Sequence, residues 1–248
     1  MDQDGGAFAI KAAMVLAAGH GTRMRPLTDR IPKPLLKLGG RTLLDHVLDS
    51  LADAGIERAV VNVHHFADQV EARLRARATP KITISDERQA VLETGGGVLK
   101  ALPHFGGQPF MVHNSDSVWS EGASSNLRML MEAWKPAHMD ALLLLARRDS
   151  SIGYAGRGDF HLQGSGHLTR RLTGEESPYV FAGVSILKAQ LFVDIARTAF
   201  SLNVIFDEAI SKNSLCGAVM DGTWMHVGTP EALLQAESHL NAVRRRRA

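Results

Sequence analysis

Ala12-Ala13-Met14-Val15-Leu16-Ala17-Ala18-Gly19-His20-Gly21-Thr22-Arg23-Met24-Arg25-Pro26, followed shortly by Pro32-Lys33-Pro34, is the stretch on which the fold turns. Its first seven residues are all apolar, as in a strand of a parallel sheet that is buried on both faces. That strand empties into a turn carrying two glycines and two arginines. Glycine lets a backbone turn tightly and bring its N–H groups close to a phosphate, so polyphosphate is the expected ligand. A Walker loop needs Gly-x-x-x-x-Gly-Lys-Ser/Thr, and a dinucleotide fingerprint needs a third glycine where Met24 stands. Neither pattern is met.

Outward from this strand, residues 43–54 carry apolar side chains at helical spacing and stop at Gly55, and residues 59–63 return to strand character, completing a βαβ unit. The pattern continues with a helix near 67–76, a strand at 81–85, a helix from about 96 to 102 and a strand at 109–114. A helix at 126–134 and a buried strand at 141–146 follow. Such alternation predicts an α/β fold of three layers, a mostly parallel Rossmann-like sheet with helices on both faces. Between residues 150 and 174 glycines are frequent and the apolar spacing shortens, which predicts a small antiparallel excursion over the sheet edge. Residues 180–187 read as a strand, and 230–243 as a closing amphipathic helix with Pro230 in its first turn. No repeat or linker divides the chain, so residues 1–248 are expected to form a single domain. Ligands of open α/β sheets sit beyond the carboxyl ends of the strands, which places the glycine turn, Asn114 and Asp116 in one crevice.

Two further motifs carry chemistry. In Leu92-Glu93-Thr94-Gly95-Gly96-Gly97, three consecutive glycines enter a helix. Each costs about 1 kcal/mol relative to alanine, so a close approach that compensates is expected, and a base or sugar lying on the backbone would supply it. In Val112-His113-Asn114-Ser115-Asp116 an apolar strand ends in a carboxylate at the sheet rim. A hard oxygen there suits Mg²⁺, which is commonly held by one or two carboxylates plus substrate phosphates.

Leu-x-x-Gly-x-Gly-Thr-Arg-x-x-Pro with a downstream Pro-Lys-Pro resembles the signature of the sugar-1-phosphate nucleotidylyltransferases. The resemblance implies a nucleoside triphosphate and a sugar 1-phosphate as partners and Mg²⁺ as cofactor. It implies that Leu16, Ala17, Ala18, Gly19, Gly21 and Thr22 wrap the nucleotide while Arg23 and Lys33 contact its triphosphate. Glu93, Thr94 and Gly97 would lie where the family recognises the base, helped by an upstream polar side chain that is either Glu87 or Arg88. Asn114, Glu176 and Gly183 would meet the sugar. Asp116 would bind the catalytic metal, which makes Arg23, Lys33 and Asp116 the expected catalytic set; Ser115 replaces the middle glycine of the family's Asn-Gly-Asp. The segment from Asp221 to Pro230 is similar to the family's closing Trp-x-Asp-x-Gly-Thr, but His226 stands where the second metal carboxylate belongs. A neutral imidazole removes one negative charge and favours softer metals, and His226 is nonetheless expected to face the metal. Many relatives carry a lysine near Ser177; here Arg147, Arg148, Arg170 or Arg171 would have to compensate, the alternative being that all are solvated charges. The form Leu-Glu-Thr-Gly-Gly-Gly, and a similarity running from about residue 11 to 240, most resemble the uridylyltransferases that act on N-acetylmuramate 1-phosphate in cell-wall recycling. A mannose-1-phosphate guanylyltransferase is the runner-up. An inactive nucleotide-sugar binding protein is the alternative of another class.

Composition sets the outer bounds. With 248 residues, 45% hydrophobic, the chain can bury one sizeable core. A formal net charge of +2 gives no broad basic field, so nucleic acid is not implied. The run Arg244-Arg245-Arg246-Arg247 reads as a frayed, solvated helix end. The lone Cys216 has no internal disulfide partner and reads as a buried thiol in a reducing compartment. The first six residues lack the positive region of a secretory signal, and no apolar run reaches membrane-spanning length. A cytoplasmic enzyme is expected, with its oligomeric state open.

Overall fold

The computed structural model describes residues 9–247, so the acidic N-terminal stretch at 1–6 lies outside the described residues. The chain begins with β1 (Ala12–Leu16), β2 (Lys37–Leu38), β3 (Arg41–Thr42), α1 (Leu43–Asp53), β4 (Arg58–Val63), α2 (Ala67–Leu74) and β5 (Lys81–Asp86). It continues with α3 (Glu93–Ala101), β6 (Phe110–Asn114), β7 (Ser117–Glu121), α4 (Asn126–Ala133), β8 (Ala141–Arg147), β9 (Phe160–Leu162) and β10 (Leu168–Arg170). The last elements are β11 (Tyr179–Leu187), α5 (Asn203–Ser211), β12 (Leu215–Val219), β13 (Gly222–His226) and α6 (Pro230–Arg247).

β1 lies in the middle of a nine-stranded sheet, parallel to β4 on one side and β6 on the other, with β5 parallel beyond β4. Helices cover both faces. On one, Leu44, Val47, Leu48 and Leu51 of α1 pack with Val70 and Leu74 of α2 and Leu127 and Leu130 of α4; on the other, Val98 and Ala101 of α3 pack with Ile205, Phe206 and Ala209 of α5. The three-layer α/β expectation therefore holds. α1 starts where the sequence asks it to, because the Thr42 hydroxyl accepts from the Asp45 N–H at 3.1 Å, a cap contributing about 1 kcal/mol.

The sheet is mixed beyond β6. β11 runs antiparallel to both β6 and β8, and β12 returns parallel to β8. The antiparallel excursion is the β9–β10 pair, which joins β11 through Tyr179 opposite Phe160. Along β11 the register with β8 shifts between Phe181 and Ser185, where Gly183 takes a φ of 80°. Such a bulge re-aims the strand, and here it faces the rim of the sheet.

Two features depart from the expectations, and a third residue finds a role the sequence left open. α5 and the separate β7–β13 pair carry too little periodicity to be seen in sequence; β7 begins just after Asp116, and its partner β13 ends at His226. α6 does not fray at its arginines: it runs through Arg247, and Arg244 donates to the Gly39 carbonyl at 3.0 Å. Met24, where a dinucleotide fingerprint would place glycine, is fully buried among Leu38, Leu43, Met225 and Val227 in a third, smaller core under the glycine turn. Cys216 is a buried free thiol in β12, and no helix among the described residues is long and apolar enough to cross a membrane.

Candidate active site

The phosphate turn and the carboxylate at the strand tip meet because their strands are neighbours. Leu16 of β1 stands opposite Asn114 of β6, and the Ser115 N–H donates to the Leu16 carbonyl at 3.1 Å, so both chain ends leave the sheet side by side. After β1, Gly21 adopts a φ of 63°, and the Thr28 hydroxyl donates to its carbonyl at 2.8 Å. A Cβ at Gly21 would come within 3.0 Å of the Lys33 Cβ, so a glycine here lets the Pro-Lys-Pro segment close over the turn. That segment is a single turn of 3₁₀ helix, Lys33–Leu35, which aims the Lys33 ammonium at Asp116. The two side chains form an ion pair.

The charge state of this pair follows from its surroundings. Burial pushes the Asp116 carboxyl up, but the Lys33 ammonium beside it more than offsets this and holds it below the ordinary carboxylate value. His226, at the end of β13 opposite Ser117, stands close enough for its charge to be felt by Asp116. Burial pushes the His226 imidazole below its ordinary value; Asp116 opposes that shift, while Lys33 and Arg23 add to it. His226 is thus neutral near pH 7. Behind the rim, His113 is wholly buried and pushed down to about 4, and its Nδ1 donates to the Asn114 carbonyl at 2.8 Å.

The second wall comes from the loop that follows β5. Glu87, 2% exposed, lines the cleft, whereas Arg88 turns outward to Asp68, Glu71 and Asp86. Of the two side chains left open by the sequence, Glu87 is the one that lines the cleft. Burial raises the Glu87 carboxyl, an effect partly offset by a hydrogen bond from Asn62. Asn62 also lines the cleft and carries no expectation above; its signal was a polar residue inside the apolar run 59–63.

The triple glycine needs a correction. A Cβ at Gly95 would run into the ring of Phe200, and one at Gly96 into the Thr198 carbonyl. The Gly95 and Gly96 N–H groups donate to the Phe200 carbonyl, at 2.7 and 3.2 Å. The close approach that makes glycine necessary is therefore made by the chain's own 198–200 segment and not by a base or sugar. Two residues further on, the Leu202 N–H donates to the Thr94 hydroxyl at 2.9 Å and fixes that side chain. Gly96→Ala is expected to destabilise the protein by about 1–3 kcal/mol, as overpacking does, read as a lower denaturant midpoint at unchanged slope.

Of the residues singled out in the sequence, Leu16, Ala17, Ala18, Gly19, Gly21, Lys33, Glu87, Glu93, Thr94, Asn114 and Asp116 line one cleft. Others stand apart. Thr22 and Arg23 lie exposed on the following turn, and Arg23 makes no ion pair among the described residues. Gly97 packs behind Asn62 and Glu87, and Gly183 packs behind Asn114 and Ser117 at the β11 bulge. Glu176, expected at the sugar, is exposed and paired with Arg148 at 2.7 Å. The other candidate arginines are likewise engaged: Arg147 with Asp149, Arg170 with Asp207 and the Phe160 ring, Arg171 with the carbonyls of Gly158, Leu172 and Glu175. Held in these contacts, none of the four points to a substitute for the missing lysine.

The donor set suits a metal that keeps most of its own shell. Among the described residues no three His, Cys, Asp or Glu side chains converge as a metal cage. Asp116 offers a hard oxygen that already holds a cation, the Lys33 ammonium, and His226 stands beside it. The Asp116 carboxylate with substrate phosphates fits Mg²⁺, which dehydrates reluctantly and rarely takes an all-protein cage, whereas the His226 imidazole beside it is a donor that softer metals prefer.

Residues 12–243 match the nucleotidyl transferase family model. The chain is 46% identical over 236 residues, 94% of its length and 98% of the relative's, to an N-acetylmuramate alpha-1-phosphate uridylyltransferase of Caulobacter vibrioides. It is 33% identical, over 91% of its length and 96% of the relative's, to the protein of the same name from Neisseria meningitidis serogroup B. Among solved structures, a UDP-glucose pyrophosphorylase complexed with UDP-glucose superposes with a TM-score of 0.75 at 17% identity, covering 94% of this chain and 99% of that one. Matched over residues 12–243, and with its strand-tip carboxylate, glycine turn and the loop after β5 meeting in one cleft, the chain belongs to the nucleotidyl transferase family.

Proposed function

We propose that this protein transfers the uridylyl group of UTP to N-acetylmuramate 1-phosphate, giving a UDP-sugar and pyrophosphate. The observation that carries the reading is the meeting of Lys33 and Asp116 against the glycine turn in one cleft, in a chain so similar to two uridylyltransferases. In the reaction a phosphate oxygen of the sugar 1-phosphate attacks the α-phosphorus of UTP, a new P–O bond forms, and the bond to the β-phosphate oxygen breaks. Such transfers depend chiefly on positioning and on neutralising charge. Backbone N–H groups of the turn at Ala18 and Gly19 face the phosphates, with Lys33 and Arg23 balancing the charge of the departing pyrophosphate. Glu87, Glu93 and Thr94 lie on the base side and Asn114 on the sugar side. Asp116 and His226 would hold Mg²⁺, which when bound supplies charge neutralisation at the reacting phosphates.

Incubation with Mg²⁺, each nucleoside triphosphate in turn and a panel of sugar 1-phosphates, read as pyrophosphate release, tests this directly. UTP with N-acetylmuramate 1-phosphate is expected to be the preferred pair. GTP with mannose 1-phosphate would favour the guanylyltransferase alternative, and no release with any pair would favour a binding protein.

His226 gives the pH dependence its sign. Only the neutral imidazole can coordinate a metal, and burial holds its pKa below the ordinary 6.5. Activity is expected to persist as pH falls through 6.5 and to decline only below it. His226→Asn should remove that acid limb. A limb at or above pH 6.5, or one unchanged in the variant, would count against His226 at the metal.

A further inference from the structure

Beneath the cleft, a buried polar pair joins the two loops that form it. Asn62 sits near the end of β4 and Glu87 just after β5, each 2% exposed. The Asn62 carboxamide oxygen accepts from the Ala17 N–H of the phosphate turn at 2.7 Å, and its NH₂ group donates to Glu87 Oε1 at 2.9 Å. Glu87 opens the base-side loop: its backbone carbonyl accepts from the Ala90 N–H at 3.1 Å and lies 2.6 Å from His64 Nδ1. From α3, Gly97 closes over the pair, for a Cβ there would stand 2.8 Å from Asn62 Nδ2 and 2.9 Å from Glu87 Oε1.

An amide is the group that can accept toward Ala17 and donate toward Glu87 at once. A leucine would suit the surrounding apolar strand, and burying a polar group there costs free energy unless it is bonded. Packing alone therefore does not account for asparagine. Among the described residues Asn62 is the side chain that hydrogen-bonds the Glu87 carboxyl, with the Leu92 backbone N–H also favouring its charge, so Asn62 is the side chain that fixes this carboxyl in place.

We propose that Asn62 is a positioning residue for the nucleotide, holding the phosphate turn and the base-side loop at a fixed spacing through Ala17 and Glu87 so that one nucleoside triphosphate engages both. This rests on the nucleotidyl-transfer reading above.

The test exploits the direction of the two hydrogen bonds. Asn62→Asp keeps an oxygen toward Ala17 but turns a second carboxylate oxygen toward Glu87. The KM and dissociation constant for UTP are expected to rise on the order of tenfold, the usual consequence of leaving a buried partner unmatched, with a smaller change in kcat. Because Glu87 itself lines the cleft, Glu87→Gln alone is measured as the baseline, and the Asn62→Asp/Glu87→Gln double variant, which restores a donor between the two positions, is expected to bind UTP about as well as Glu87→Gln alone. Asn62→Ala, which removes both bonds without adding charge, should raise the same constants and covers the case in which Asn62→Asp does not fold. Thermal midpoints are followed in parallel, with assays kept well below the lowest. Variants that lower the midpoint but leave the UTP constants unchanged would overturn the proposal, as would a double variant whose UTP constants are as far above those of Glu87→Gln as those of Asn62→Asp are above the native protein's. A wild-type protein that neither binds nor turns over UTP would instead remove the functional reading itself.

Discussion

Asp116→Ala is expected to lower turnover by about a thousandfold or more, the scale at which removing a preorganised electrostatic group acts in a water-poor site. The reason is local scarcity. Among the described residues no third metal-binding side chain converges with Asp116 and His226. His226 alone would be left, and a single imidazole is a poor substitute for a hard oxygen toward Mg²⁺. Some loss of stability is expected, because Lys33, only 12% exposed, loses its partner, but both groups border the cleft and no core packing is removed, so the fold should survive. Pyrophosphate release at saturating UTP and Mg²⁺, beside a thermal unfolding curve, checks both halves. Asp116→Asn should be nearly as impaired, since it keeps the shape and loses the charge; full turnover in either variant would end the metal assignment.

Lys33→Ala is the second large effect, expected at about 10²–10³ in kcat/KM. Lys33 pairs with Asp116 when no other cation is there, and it is also the lining cation of the cleft nearest the phosphate turn. A metal on Asp116 would free the ammonium for the triphosphate, so extra Mg²⁺ is not expected to rescue the variant. Its absence also removes the charge that offsets burial at Asp116, whose carboxyl should then titrate at higher pH. The sign for stability is fixed by the same shift. A carboxyl depressed in the folded state stabilises the protein above its unfolded value, near 3.8, and that contribution disappears as pH falls through the folded value. Any stability difference between Lys33→Ala and the native protein at neutral pH should therefore shrink in strong acid. A Lys33→Ala enzyme within a few-fold of native turnover would contradict the role given to the lysine.

Much of the cleft was legible residue by residue, and the exceptions share a cause. The segments around Glu176 and around Arg147, Arg148, Arg170 and Arg171 contain charges whose partners lie elsewhere in the chain, such as Asp207 for Arg170. Nothing in the local sequence distinguishes an arginine reserved for a ligand from one already neutralised. The triple glycine was read as a ligand contact for the same reason, because the backbone that crowds Gly95 and Gly96 comes from residues 198–200, about a hundred positions away.

The sequence alone determined those features that arise within a few residues of each other. A fully apolar run becomes a central parallel strand, a left-handed glycine ends it, and a carboxylate follows the neighbouring strand. Only the tertiary structure decided the reversal of β11, the outward turn of Arg88 and the bond from Ala17 through Asn62 to Glu87. Those outcomes depend on which distant segments pair, and long-range pairing leaves no periodic trace in the residues that will take part in it.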